Sequence, residues 1–139
     1  IYYLSMYYGN GTAQAVRESV WRDSGMGVLS DLGSHLIDTS LFLLSHPKLN
    51  FETTYTATFE NNAPDFAVVE FKGNPYIRFQ VSLCSWKNTF RCELIGSLGS
   101  VMMEGLVKWG PSKVELNKRS FPTDIPITTE MVYKNSDLS

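Results

Sequence analysis

The sequence predicts an α+β domain, an open, mainly antiparallel β-sheet with one long helix packed on one face. Three observations carry that reading. A tyrosine-rich strand segment opens the chain, one apolar run from Val28 to about Ser45 repeats with helical spacing, and the chain after Pro47 reads as short strands divided by turns. A strand, then a helix, then a run of strands puts the helix against an antiparallel sheet; alternating βαβ units would build a parallel one.

The elements follow in order. Residues 1–8, IYYLSMYY, read as a strand, and GNGTA turns the chain because glycine and asparagine tolerate positive φ. The segment AVRESVWRDSGMG has no clear period. Its Asp23, Ser24, Gly25 and Gly27 read as a loop ending in a helix N-cap, where a side-chain oxygen satisfies orphan backbone N–H groups. In the helical run, Leu29, Leu32, Leu36 and Leu43 share one side, with Ile37, Leu41 and Leu44 beside them, and SHP stops it. A helix this apolar predicts cover over most of its circumference.

The strands are FETTYTATF, DFAVVEFKG, YIRFQVSLCSW, TFRCELIGS, GSVMMEG and KVELNKR, a meander of about five or six. In YIRFQVSL, Ile77, Phe79, Val81 and Leu83 alternate with Arg78, Gln80 and Ser82, the pattern of a half-buried antiparallel strand. There is no internal repeat and no linker, so residues 1–139 are read as one domain.

A hydrophobic content of 43% over 139 residues predicts a real core. The net charge of -2, from 12 basic and 14 acidic residues with no basic run, argues against nucleic acid and anionic membrane surfaces as partners. No apolar run approaches the roughly 20 residues that span a bilayer, and the start lacks the features of a signal peptide, so a cytoplasmic protein is expected. The absence of an initial methionine and the end YKNSDLS suggest a piece of a longer protein. Cys84 and Cys92 are too few for a disulfide framework and are read as free thiols, although a turn near Lys87 and Asn88 would bring them across a hairpin.

The polar residues of the helix carry the chemistry. Residues four apart on a helix lie about 40° from one another and residues seven apart about 20°, so Asp31, His35 and Asp38 form one stripe. The stripe is either a polar interface, with Asp31 and His35 satisfying each other, or a carboxylate orienting an imidazole for acid/base work near neutral pH. Two features favour the second. Gly33 inside a helix costs about 1 kcal/mol relative to alanine, which suggests close approach of a group to the backbone. The glycines of SGMG offer space and N–H groups to a ligand at the helix start.

Just upstream, Trp21 offers a stacking surface and Arg22 hydrogen bonds for a polyol; the plainer reading is a helix anchor and a surface cation. A metal site of Asp31, His35, Asp38 and His46 lacks H-E-x-x-H spacing and a third nitrogen or sulfur ligand, so no metal is expected.

The run SGMGVLSDLGSHLIDTSLFLL resembles the G-G-G-x-L-x-D-x-G-x-H-x-x-D signature of the glucose-fructose oxidoreductase and inositol dehydrogenase family (Gfo/Idh/MocA), with Met26 in place of the middle glycine. The RxxxWR run from Arg17 to Arg22 is compatible, and ELIGSLGSVMMEG and LVKWGPSKVELNKR are similar to the family's sheet domain. The resemblance implies a C-terminal substrate-binding and oligomerisation domain, whose partner is a Rossmann domain that binds NAD or NADP and supplies a lysine. It implies His35 as the proton-transfer residue, Asp31 as its orienting partner or a substrate ligand, and Gly27 in the substrate pocket. The expected function is that of one half of a sugar or polyol oxidoreductase, forming homo-oligomers through its sheet. No G-x-G-x-x-G follows a strand, so this chain is expected to bind no cofactor and to be inactive alone. The alternative is a noncatalytic ligand-binding or assembly module whose open sheet, aromatic and poor in charge in FAVVEF and FQVSLCSW, associates with a partner.

Overall fold

A computed structural model describes residues 1–45 and 48–134. The chain forms β1 (Tyr3–Gly9), α1 (Ala13–Arg17), a π-helical turn (Leu29–Gly33), α2 (Ser34–Leu44), β2 (Glu52–Ala57), β3 (Phe66–Phe71), β4 (Tyr76–Ser82), β5 (Thr89–Gly96), β6 (Gly99–Glu104), β7 (Ser112–Lys118) and β8 (Ile127–Tyr133). A short 3-10 turn, Val107–Trp109, links β6 to β7.

All eight strands join one sheet in the order β2-β3-β4-β1-β5-β6-β7-β8. Every pairing is antiparallel except that of β1 with β4. The expected open, mainly antiparallel sheet is therefore present. The expected single long helix is not, since the helical stretch divides into a five-residue π turn and an eleven-residue α-helix.

The insertion of β1 also removes the expected hairpin of β4 with β5. Met6 pairs with Cys92 on one side and Phe79 on the other, so a strand lies between β4 and β5. Cys84 and Cys92 are free, and burial pushes both thiols up to about 11, which keeps them protonated and poorly nucleophilic at neutral pH. Two elements went unread in the sequence, α1 and β8. The latter is exposed at all seven positions, so it shows no alternation of buried and exposed residues.

The core lies between the middle of the sheet and the helical segments. Leu4, Met6, Ile77, Phe79, Val81, Phe90 and Cys92 point from the strands to one face, where Ala13, Val16, Val28, Leu32 and Leu36 cover them. The outer side of α2 is uncovered among the described residues: Phe42 is 82% exposed, and only Leu36 and Ser40 of this helix are buried. Of the cover expected over most of its circumference, this chain supplies the sheet side only.

The opposite face of the sheet is more charged than the apolar runs suggested. Val69, Ala67, Phe79 and Val81 face the helices, which leaves Glu70, Arg78, Gln80, Arg91, Glu93 and Glu104 in register on the open side, with Tyr7 among them. Tyr3 and Tyr76 stack there at 5.7 Å, and Tyr76 donates to Glu70.

The connection from β2 to β3 is a compact loop organised by Asp65, which is fully buried. Its carboxylate accepts the N–H groups of Phe59, Glu60 and Asn61, and its own N–H donates to the Ala57 carbonyl. Three charge-assisted bonds to one side chain make this loop a fixed support for what packs on it.

Candidate active site

The segment between α1 and the π turn folds back in successive turns. Arg22 and Asp23 donate their N–H groups to the Ser19 carbonyl, each at 2.9 Å, and the Ser24 hydroxyl donates to the Trp21 carbonyl at 2.8 Å. The segment is then fastened to the β2–β3 loop. Asp23 accepts the N–H of Ala63 at 2.7 Å and of Asn62 at 2.8 Å, and the Asn62 amide donates to its other oxygen at 2.8 Å. The Ala63 bond is the main reason that the Asp23 carboxyl sits below the usual range. This clamp holds above the ordinary carboxyl pKa and weakens as pH falls through the depressed value.

Asp23 is thus committed to the neighbouring loop and does not cap the helix. No side chain caps the π turn, and Val28, which precedes it, already has helical angles. Nor are the N–H groups of the first helical turn free. The N–H groups of Gly27, Val28, Leu29, Ser30 and Asp31 all meet backbone carbonyls, Val28 bonding to Pro64 at 2.8 Å.

Gly27 is required for a different reason. Its φ is +52°, and a Cβ there would lie 2.2 Å from the Pro64 carbonyl oxygen. Gly33, by contrast, has ordinary helical angles, and a Cβ on it would make a normal 3.4 Å contact with Leu29. No protein group crowds the backbone at Gly33 among the described residues.

One cleft of about 450 Å³ gathers Trp21, Arg22, Gly27, Asp31 and His35, the residues expected to bind substrate or move its proton. This volume falls in the range of small-molecule sites. Val16 and Leu83 contribute apolar wall, and Ser30 and Ser34 add hydroxyls that the sequence reading did not assign. Their signal was available, since they precede Asp31 and His35 by one residue each. Trp21 and Met26 are 80% and 60% exposed.

Asp31 and His35 do not bond to each other among the described residues. Asp31 accepts instead from Arg22, whose Nη2 lies 2.8 Å from Oδ2, with both side chains about one-third exposed. The second carboxylate oxygen, Oδ1, has no hydrogen-bond donor among the described residues. His35 is exposed, with its ring 6.2 Å from that of Tyr8. Asp38 is exposed and lies outside the cleft, so the stripe runs along the solvent side of the helix. His46 lies outside the described residues. Among the described residues, no group of three His, Cys, Asp or Glu side chains is placed to hold a metal.

The profile of the GFO/IDH/MocA C-terminal domain matches residues 1–102. The chain belongs to this family. Solved structures with the same fold include a candidate NADPH-dependent oxidoreductase from Desulfitobacterium hafniense, 16% identical, TM-score 0.75, matched over 96% of this chain and 42% of that one. Levoglucosan dehydrogenase in complex with NADH and levoglucosan is 15% identical, TM-score 0.75, over 96% of this chain and 40% of that one. UDP-N-acetylglucosamine 3-dehydrogenase from Acidithiobacillus ferrooxidans is 11% identical, TM-score 0.64, over 95% of this chain and 40% of that one. A comparison with curated proteins finds no match. This Gfo/Idh/MocA domain therefore spans about two-fifths of those structures. No described helix is long and apolar enough to cross a membrane.

The two positive-φ glycines of the cleft make a controlled pair. Gly25 has φ +59°, and a Cβ on it would meet nothing within 4 Å, whereas Gly27 adds the Pro64 collision. Gly25→Ala is expected to cost about 1 kcal/mol, and Gly27→Ala roughly 3 kcal/mol or more, because the second must also break the Val28–Pro64 contact. Urea denaturation of the two variants measures the difference; equal losses would contradict the account of Gly27.

Proposed function

We propose that the chain is the substrate-side domain of a nicotinamide-dependent sugar or polyol oxidoreductase, with a nucleotide-binding domain elsewhere in the full-length protein. The observation that carries this reading is the convergence of Trp21, Arg22, Asp31 and His35 on one small cleft. The sugar dehydrogenases that share the fold support it.

The dinucleotide does not fit this chain as a whole. A diphosphate is held by successive free N–H groups at a helix start, and here those of residues 27–31 are bonded internally. The open mouth of the cleft, flanked by Trp21 and Met26, suits a nicotinamide ring brought by another domain. Bound there, NAD or NADP supplies the hydride acceptor.

The residues of this chain do the rest. Arg22 holds Oδ2 of Asp31 by a charge-assisted bond and so fixes the plane of the carboxylate. Oδ1 remains to accept a substrate hydroxyl, and the exposed Trp21 ring stacks on the apolar face of a sugar. His35 takes the proton of the hydroxyl whose carbon is oxidised, a task that suits imidazole near neutral pH. The Arg22–Asp31 pair and the neutral hydroxyls of Ser30 and Ser34 leave the cleft without a strong net charge, which favours an uncharged substrate.

A second, compatible reading is association of two copies through the open face of the sheet, on which Tyr3, Tyr7 and Tyr76 stand among charged residues. Such a face would give a polar interface.

Two outcomes follow for the full-length protein, assayed with a panel of monosaccharides and inositols and both NAD and NADP. His35→Ala lowers kcat by roughly 10²–10⁴-fold while leaving KM for the nucleotide and the melting temperature unchanged, and Arg22→Gln lowers kcat/KM for the sugar without altering nucleotide binding. Normal turnover per folded molecule in His35→Ala would remove the acid/base reading, and an unchanged kcat/KM in Arg22→Gln would remove the role given to the Arg22–Asp31 pair. Separately, light scattering should show a dimer or larger, weakened by Arg78→Glu; a strict monomer at high concentration refutes the sheet-face association.

A further inference from the structure

Proton transfer through His35 needs its ring held, yet no hydrogen bond from the described residues holds it. An imidazole on the exposed side of a helix samples several rotamers, and an acid/base group that wanders is a poor catalyst. The structure contains a group that restrains it. Tyr8, from the helix-facing side of β1, is not among the residues that line the cleft, but its ring stands behind His35 at 6.2 Å between centroids and 53° between planes.

Tyr8 is itself fixed from two further directions. Phe90 of β5 meets it edge-on at 6.1 Å and 82°, and Trp109 of the 3-10 turn packs on it at 5.6 Å and 46°. Aromatic pairs at these separations and tilts are attractive beyond the area they bury. The side chain therefore has a single place, set by three separate elements of the sheet domain. Burial, and after it the charge of Asp31, holds the Tyr8 phenol above its ordinary pKa, so the ring next to His35 stays neutral through the working range.

We propose that Tyr8 is a positioning residue for His35, a rigid aromatic wall that fixes the imidazole plane and turns its edge toward the cleft. The catalytic consequence rests on the reading of His35 as proton carrier; the structural claim does not. Phe90 and Trp109 act one step further back, by fixing Tyr8.

The test uses the full-length protein. In the wild type, NMR should show nuclear Overhauser contacts between the Tyr8 ring protons and the His35 imidazole protons, with the latter assigned by their loss in His35→Gln. Tyr8→Met, which keeps the volume and removes the ring, should abolish the ring-current displacement of those imidazole signals; Tyr8→Phe should retain it. In turnover, Tyr8→Met lowers kcat by roughly 10- to 100-fold at unchanged nucleotide KM, Tyr8→Phe restores it to near wild type, and Tyr8→Met adds no further loss in a His35→Ala background. Absence of the wild-type contact, a measurement that needs no variant to fold, overturns the proposal, as do unchanged His35 signals in Tyr8→Met. A normal kcat in His35→Ala removes the acid/base reading instead, and the NMR result then still decides whether Tyr8 positions the ring.

Discussion

The contact on which the site depends is the passage of Gly27 over the Pro64 carbonyl, sealed by the bond from the Val28 N–H to the same oxygen at 2.8 Å. Everything that lines the cleft from residues 21–35 is placed relative to the sheet by this point and by the Asp23 clamp beside it. Both hold because the β2–β3 loop is itself rigid, drawn around the buried Asp65 carboxylate. The lip of the cleft is thereby tied to a sheet whose central strands bury their helix-facing side chains. The chain has arranged this without a helix cap at the π turn, and without a disulfide or a metal cluster among the described residues.

Division of labour inside the cleft follows from the π turn. One wider turn over Leu29–Gly33 changes the angular relation between Asp31 and His35 from that of a regular helix. Asp31 meets Arg22 from the preceding loop, and His35 meets Tyr8 from β1. The carboxylate is thus paired with a cation, and the imidazole stands beside an aromatic ring.

Much of this was legible in the sequence, and the failures have physical causes. Alternation in YIRFQVSL and the helical period of Leu29, Leu32 and Leu36 report burial on one face, which is why the sheet and the helical segment were readable. β8 was not, because a strand exposed on both faces carries no alternation. The place of β1 between β4 and β5 depends on pairing across long sequence separations, to which local pattern is blind. Within the site, the residue types of Trp21, Arg22, Asp31 and His35 identified the members of the cleft, but spacing misassigned the partners. A four-residue separation paired Asp31 with His35 on an ideal helix, and the π turn together with a cation nine residues upstream decided otherwise. Asp23 illustrates the same limit: helix-local rules place it in the approach to a helix cap, whereas its carboxylate is used by a loop far along the chain.

The central claim is that a sugar is oxidised in this cleft, between His35 and a nicotinamide from another domain. A crystal structure of the full-length protein with NADH and a bound monosaccharide tests it most directly. The account predicts the sugar between Trp21 and α2, one hydroxyl within about 2.6–3.2 Å of a His35 ring nitrogen and another within reach of Asp31 Oδ1, with the Arg22–Asp31 pair intact. A sugar bound elsewhere on the domain, or one in the cleft with His35 turned away and Asp31 parted from Arg22, would contradict it.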